Sequence, residues 1–384
     1  MTRASVLLAF LLAVLPMPAA AQPAFAPFAA RDLAPGVHLL ATPADYVGPA
    51  ISNVSVIEQS DGVVLIDSGG TIAHGRAIVA YVRSITRKPI KAVLITHWHN
   101  DHPLGIAAIR QAWPRVRVIS TAATRTDLLG PTMTSVALQP SEHFETQLLN
   151  EAWQGVVQVR GLAAAPSTTA EQRARYERYV ASILDFARGF RGTYLVPPTE
   201  TFTDQLLLDD RERPVRLMFL GRANTDGDAV AWLPRQRIVM SGDVVVSPIP
   251  FGFGSYPEDW IRVLERLKAL DFALLVPGHG EPMTDAAYLD RLIATIRDIR
   301  AQVGALARQS VTLEQVRERV DFSAQSAIFG TTPRLRAGFQ SLWLAPMIEN
   351  AWKEARGEPI VQGEGLLPNG PAPATSDRAR RPRR

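Results

Sequence analysis

The sequence predicts an α/β fold for this chain of 384 residues, on three observations. Short apolar runs, rich in β-branched residues, each end in a polar residue near glycine or a turn, as strands do; they span residues 63–66, 92–95, 238–241 and 274–276. Other segments repeat apolar residues at helical spacing. A hydrophobic content of 47% is sufficient for a large buried core.

Three of these runs lead directly into a polar side chain with metal-binding or hydrogen-bonding capacity. Asp67 follows the first run, Asp243 the third and His279 the fourth. Because the ends of neighbouring strands meet along one edge of a sheet, we expect these side chains to lie close together. An isolated Gly-Asp pair after a strand is more often a turn, so Asp243 is a candidate ligand only in combination with the other predicted ligands.

The second run is followed by four metal-competent side chains within six positions, His97, His99, Asp101 and His102. In an extended segment, residues i and i+2 share a face, so the first three can converge while His102 approaches as the chain turns. Imidazole nitrogens and a carboxylate suit Zn²⁺, and they also suit Fe or Mn. The alternative is a surface histidine cluster that binds no metal.

This segment resembles the His-x-His-x-Asp-His signature of the metallo-β-lactamase-fold superfamily, and the resemblance covers about residues 36–284. It implies a four-layer αββα fold with a helical insertion and C-terminal helices. It further implies that Asp67 braces the metal loop, that Asp243 bridges two metals and that His279 is the last ligand. One or two Zn²⁺ ions per chain are expected.

The family pattern breaks at Asn224, where a third histidine normally completes the first metal site. We expect an asymmetric centre, in which Asp101, His102, His279 and a shared Asp243 form one full site. The other retains His97, His99 and Asp243, while Asn224 offers at most a neutral amide oxygen, a poorer zinc ligand than imidazole. The alternative is that Asn224 only hydrogen-bonds within its loop. His38, His74 and His143 are interpreted as ordinary core or surface residues.

The chain is expected to be exported. Residues 1–21 have a positive start, a short apolar stretch and small residues before Gln22, as in a secretory signal peptide, and a membrane anchor is the alternative. The mature chain contains no segment long and apolar enough to span a bilayer. We therefore predict a periplasmic or secreted protein. It has no cysteine, so neither disulfides nor thiolate ligands are available.

The net charge of +4 comes from the C-terminal tail, because residues 365–384 contain five Arg and one Asp. With the rest of the chain balanced, nucleic acid is not an expected partner. We expect a small-molecule substrate, and the sequence does not indicate the oligomeric state.

The predicted organisation begins with a signal peptide at residues 1–21. A metallo-β-lactamase-fold domain follows at residues 22–300, with a helical insertion at about 125–212. A C-terminal helical extension at 301–362 and a disordered basic tail at 363–384 come after it. Within the insertion, Thr168 and Glu171 indicate a capping box that starts an amphipathic helix. This helix would either cover the metal site or pack elsewhere on the body.

The loop 248–260 follows Asp243 closely and is punctuated by proline, glycine and aromatic residues. It could form the apolar wall of a substrate pocket through Phe253 and Tyr256, or these rings could simply pack in the core. Arg222 could bind a substrate carboxylate, although a solvated loop arginine is the commoner situation.

The function expected from these residues is metal-assisted hydrolysis of a carbonyl substrate such as an ester, thioester, lactone or amide. Asp101 is the candidate catalytic residue, since it would orient the attacking water and take up its proton. Three alternatives remain: a β-lactamase, an iron-dependent oxidoreductase and a non-catalytic metal-binding protein of the cell envelope. The missing cysteine argues against those β-lactamases that use a Cys ligand.

Overall fold

The structure is a computed structural model that describes residues 28–43, 46–133, 136–309 and 311–362. The predicted signal peptide and basic tail lie outside these residues. In the described part of the chain, no helix is both long and apolar enough to cross a membrane.

The two sheets are mixed in direction. The first consists, in spatial order, of β1 (Ala29–Ala34), β2 (Val37–Ala41), β3 (Val54–Glu58), β4 (Val63–Ile66), β5 (Ile90–Leu94), β6 (Arg117–Thr121) and β7 (Glu200–Phe202). The second follows the order β12 (Leu274–Val276), β11 (Ile238–Met240), β10 (Ala229–Leu233), β9 (Val215–Phe219) and β8 (Gln205–Leu208). Strands β4 to β7 pair in parallel, as do β11 and β12, whereas the other neighbouring strands are antiparallel.

Eleven α-helices lie in the described part of the chain. They are α1 (Ile72–Ile85), α2 (Ile106–Ala112), α3 (Ala122–Leu129), α4 (Glu142–Ala164), α5 (Ala170–Gly189), α6 (Pro257–Lys268), α7 (Ala287–Ala307), α8 (Leu313–Arg319), α9 (Ser323–Phe329), α10 (Pro333–Gly338) and α11 (Ala345–Arg356). A π-helical turn, Phe339–Leu344, joins α10 to α11, and 3-10 turns lie at Pro131–Met133 and Gly242–Val244.

The alternation of side chains along the strands builds the layers. In β4, Val64 and Ile66 face the second sheet, whereas Val63 and Leu65 pack beneath α1 and α2 on the outer face. In β10, Val230 and Trp232 point away from the first sheet, toward α6, α7 and α11. The order is therefore helix, sheet, sheet, helix, which confirms the predicted four-layer αββα fold.

The helix that was predicted after residue 168 begins one residue later than its expected cap. Thr169 is the N-cap and forms the capping box with Gln172, whereas the Thr168 hydroxyl donates to the carbonyl of Leu162. The prediction of Thr168 and Glu171 was wrong because consecutive threonines followed by Glu-Gln offer two equivalent capping frames. Thr312 and Gln315 form a second capping box, at the start of α8.

Helix α5 crosses the edge of the molecule at which the parallel strands end. Near the C-terminal end of α5, Phe186 packs against His74 of α1. Near its N-terminal end, Arg175 lies close to Arg334 of α10. The pKa of Arg334 is lowered mainly by burial and additionally by the charge of Arg175. Between them, Ser182 lies against the loop at Gly48, which leads to β3. Helix α5 therefore lies against α1 and the loop that leads to β3, and a cap over the metal site stays a prediction.

Candidate metal centre

The metal-binding loop begins where β5 ends and is held by Asp67, which follows the neighbouring strand β4. The Asp67 carboxylate accepts hydrogen bonds from the backbone N–H and the hydroxyl of Thr96, both at 2.9 Å, and from Nδ1 of His102 at 2.8 Å. Asp67 is buried and adopts a positive φ of 63°, which turns its carboxylate under the loop. It therefore orients the loop, as the resemblance implied.

The predicted ligands come together in two adjoining clusters, one of His97, His99 and Asp243 and the other of Asp101, His102 and His279. In each cluster the candidate ligand atoms lie within 4.8 Å of one another. In the first, Nε2 of His97 is 2.8 Å from Nδ1 of His99. In the second, Nε2 of His279 is 3.0 Å from Oδ2 of Asp101.

Asp243 joins the two clusters by directing one carboxylate oxygen to each. Its Oδ2 lies 3.6 Å from Nε2 of His97, and its Oδ1 lies 3.4 Å from Nε2 of His102 and 3.5 Å from Nε2 of His279. The 3-10 turn after β11 and the loop after β12 provide this geometry. A Cβ atom at Gly278 would stand 2.0 Å from Asp243 Oδ1, so the Pro-Gly-His sequence needs glycine there.

These distances fit metal ions. Tetrahedral ligands at about 2.0 Å from Zn²⁺ lie about 3.3 Å apart, which is the spacing seen here. Four converging buried atoms make no hydrogen bond within the described chain: Asp101 Oδ2, His102 Nε2, Asp243 Oδ1 and His279 Nε2. Buried polar atoms left without partners are costly, and a bound cation would satisfy them.

The histidines of the first cluster are held as neutral imidazoles. Burial lowers the pKa of His97 well below 6.5, and the neighbouring histidines add to this effect. Burial also lowers the pKa of His99 to about 4, against the opposing charges of Asp243 and Asp101. Burial raises the pKa of Asp101, but the charges of His102 and His279 outweigh this and lower it below 3.8. Neutral imidazoles and an ionised carboxylate are the protonation states that metals bind.

Asn224 lies in the buried loop between β9 and β10. It is fully buried, and neither its amide oxygen nor its amide nitrogen has a hydrogen-bond partner among the described residues. The loop is fixed beside the metal-binding loop, because the Ala229 N–H donates to the carbonyl of Thr96 at 2.8 Å. Among the described residues, the Asn224 amide makes no hydrogen bond to its own loop.

Within the loop 248–260, Phe251 packs beside a candidate metal ligand, with its ring centroid 5.5 Å from that of His279. Phe253 instead borders a cavity formed with α11, and Tyr256 is buried against Gln362. Arg222 pairs with Asp259 at 2.6 Å and lies over the Tyr256 ring. The geometry thus favours Phe251 over Phe253 and Tyr256 as the apolar wall.

Neither of the described histidines that were interpreted as ordinary belongs to the two clusters, although His74 accepts a hydrogen bond at 3.1 Å from the N–H of Gly70, which lies against Asp101. His38 bonds Asp32 and Glu58 on the first sheet, and His74 is buried in α1. The side chain of His143 lies outside the described part.

Two residues that orient the ligand loops were missed by the sequence reasoning. Ser52 donates its hydroxyl to the carbonyl of Asp101 at 2.7 Å. Asn53 donates its amide to the carbonyls of Pro277 and Gly280, both at 2.9 Å, and so fixes the loop that carries His279. Neither has a spacing signal, because both contacts join segments far apart in sequence.

Comparisons with known proteins agree with this geometry. The profile of the metallo-beta-lactamase superfamily matches residues 47–279. A linear primary-alkylsulfatase from Pseudomonas sp. is 24% identical over 303 residues, covering 73% of this chain and 52% of its own length. A metallo-beta-lactamase type 2 from Bacillus sp. is 21% identical over 236 residues, covering 60% of this chain and 67% of its own.

Among solved structures, the inverting sec-alkylsulfatase Pisa1 from Pseudomonas sp. superposes with a TM-score of 0.55 at 15% identity, covering 85% of this chain and 50% of that one. This likeness supports the fold. The chain spans about half the length of both alkylsulfatases. The profile match over more than half of the chain shows that this protein belongs to the metallo-beta-lactamase superfamily.

Proposed function

We propose that this chain is an exported, zinc-dependent hydrolase that cleaves a small carbonyl substrate such as an ester, thioester, lactone or amide. The observation that carries the proposal is the pair of ligand clusters joined by the two oxygens of Asp243. A donor set made only of imidazoles and carboxylates matches zinc in hydrolytic enzymes.

The ligand geometry assigns a role to the metal and to the residues around it. When bound, Zn²⁺ would lower the pKa of a coordinated water toward neutrality and polarise a substrate oxygen. His97 and His99 would hold the first ion with Asp243, and Asp101, His102 and His279 the second.

Asp101 is the acidic side chain of the two clusters that is partly exposed to solvent. Its side chain is 15% exposed, against 1% for Asp243, so it borders the opening and can accept a proton from the attacking water. The pKa of Asp101 is lowered below 3.8, so its carboxylate is ionised at neutral pH, as a proton acceptor requires.

The substrate class follows from the charges near the site. Arg222, the basic residue adjacent to the Asn224 loop, is paired with Asp259, so its charge is already compensated. A carbonyl substrate needs no additional cation, whereas a phosphate monoester does. We therefore place uncharged acyl substrates first.

A sulfate ester is the second candidate, favoured by the similarity to a linear primary-alkylsulfatase. The similarity to a metallo-beta-lactamase type 2 keeps a β-lactam as a third. All three reactions are hydrolyses that the same pair of ligand clusters could support.

A panel assay on purified protein tests the proposal. Zinc-loaded enzyme is assayed with p-nitrophenyl butyrate, a thioester, a γ-lactone, nitrocefin and dodecyl sulfate, with Asp101→Asn as the matched control. We expect turnover of an acyl substrate that Asp101→Asn lowers by two or more orders of magnitude. Turnover of dodecyl sulfate alone would overturn the acyl assignment, and zinc binding without any turnover would favour a metal carrier.

Export is a proposal that rests on residues 1–21 alone. Intact mass spectrometry of protein recovered from the periplasm of a bacterial host would show a chain beginning at Gln22. A full-length chain in the cytoplasmic fraction would contradict it.

A further inference from the structure

Gln362, in the C-terminal extension, is hydrogen-bonded to the metal-binding loop. Its Oε1 accepts a hydrogen bond from Nε1 of Trp98 at 3.1 Å. Its Nε2 donates to the carbonyl of Gly254 at 2.8 Å and to the Tyr256 hydroxyl at 3.2 Å. Both ends of the Gln362 amide are therefore used, which fixes its orientation.

Trp98 stands between the ligands His97 and His99 in sequence and is 3% exposed. Its ring meets the His99 ring at a centroid distance of 4.5 Å and an interplanar angle of 76°, an edge-to-face contact. His99 is the less buried of the two histidines in the first cluster, so fewer neighbours hold its ring. Its ring contacts with Trp98 and His97 therefore define its orientation.

Gln362 is also linked, through Tyr256, to the loop that contains Asn224. The backbone N–H of Tyr256 donates to the carbonyl of Ala223 at 2.8 Å, next to Asn224. Gln362 thus connects the loop that carries His97 and His99 to the segment that holds the Asn224 loop. No equivalent link from Gln362 to Asp101, His102 or His279 exists within the described residues.

We propose that Gln362 is a positioning residue for the first metal cluster, acting through Trp98 on His99. The first cluster depends on such support because Asn224 stands where the family pattern places a third imidazole. The inference rests on the proposed function only in requiring that the two clusters bind metal.

Cobalt titration of the full mature chain tests this role, because Co²⁺ reports each site by its visible absorption. The bands of the first cluster are those lost in His99→Ala. We expect Gln362→Ala to weaken Co²⁺ binding at the first cluster about tenfold and to leave the second cluster unchanged. Gln362→Glu, which still accepts from Trp98, should restore most of the affinity.

Trp98→Phe is a second, independent test of this role. It keeps an aromatic ring against His99 but removes the indole N–H that donates to Gln362. If Gln362 acts through Trp98, Gln362→Ala has no additional effect in the Trp98→Phe background. The matched control is Gln340→Ala, a glutamine of the same extension that bonds Ser326. It should titrate like the wild type.

Equal Co²⁺ affinities of Gln362→Ala and wild type would overturn the proposal. So would an equal loss at both clusters, or an undiminished effect in the Trp98→Phe background, since either would indicate a merely structural contact. Gly254→Ala is a second variant, to be used if Gln362→Ala folds poorly. The added Cβ atom would lie 3.1 Å from the Gln362 amide and displace it, so this variant should also weaken Co²⁺ binding at the first cluster. The readout is binding, so a chain that hydrolyses none of the panel substrates leaves this test intact.

Discussion

The carboxylate of Asp67 lies 2.8 Å from Nδ1 of His102, on the opposite side of the imidazole from the second metal cluster. The carboxylate requires a proton on Nδ1, so Nε2 is left as the lone-pair donor that points at the cluster. Asp67 also holds Thr96, at the start of the metal-binding loop. One buried residue that is not a ligand therefore sets both the tautomer of His102 and the position of the loop.

Asp67→Asn should lower metal affinity at the second cluster by roughly 10- to 100-fold, because a neutral amide orients the imidazole less firmly and does not enhance its basicity. Competition with a chromogenic chelator measures this. Asp61→Asn, which alters an exposed partner of Lys91, is the matched control. Unchanged zinc affinity in Asp67→Asn would show that His102 is oriented by other contacts.

Asn224→His should raise the zinc content of the first cluster. The buried amide of Asn224 makes no hydrogen bond within the described residues, and an imidazole there would add a strong ligand to His97, His99 and Asp243. We expect the wild type to lose its first-cluster metal at least tenfold more readily on dialysis than the variant. Equal occupancy of two metals in both proteins would refute the asymmetric centre.

Phe251→Ala should raise KM about tenfold for an apolar ester, equivalent to ~1.4 kcal/mol of lost contact, with metal content unchanged. The reason is that Phe251 packs beside His279 at the centre. Phe253→Ala, which removes a ring of the same loop that faces α11, is the control and should leave KM unaltered. The opposite ranking would place the substrate on the other side of the loop.

His74 should make the protein lose stability in mild acid. Burial lowers its folded-state pKa from 6.5 to about 4, so the unfolded chain binds the proton more readily. The stability associated with neutral His74 is thus full above pH 6.5 and declines as the pH falls toward 4, by at most about 3 kcal/mol.

Urea denaturation of wild type and His74→Gln at pH 7 and pH 4.5 measures this contribution. The variant should lose less stability between the two pH values, because glutamine has no proton to gain. Parallel losses in both proteins would assign the acid sensitivity to other groups.

The side chains that come together in the two clusters could be picked out from the sequence because their signals are local. Each ligand directly follows a strand, and strand ends are marked by β-branched runs and glycine, so Asp243 and His279 could be placed beside the histidine segment. The inner and outer faces of β4 and β10 follow from the same alternation.

The contacts that the sequence did not predict are nonlocal. Asn53 and Gln362 reach ligand loops from positions 224 and 264 residues away along the chain, and no spacing marks such a pair. Phe251 could not be distinguished from Phe253 because both follow glycine or proline in one loop. Their directions depend on how α11 packs.

We propose that hydrolysis requires metal held by the two ligand clusters that Asp243 joins. The most direct measurement is zinc per chain and turnover on the same samples of wild type and Asp243→Ala, before and after chelation and zinc return. We expect one to two zinc ions and restorable activity in the wild type, and loss of both in Asp243→Ala. Full turnover in metal-stripped wild type, or wild-type zinc content in Asp243→Ala, would contradict it.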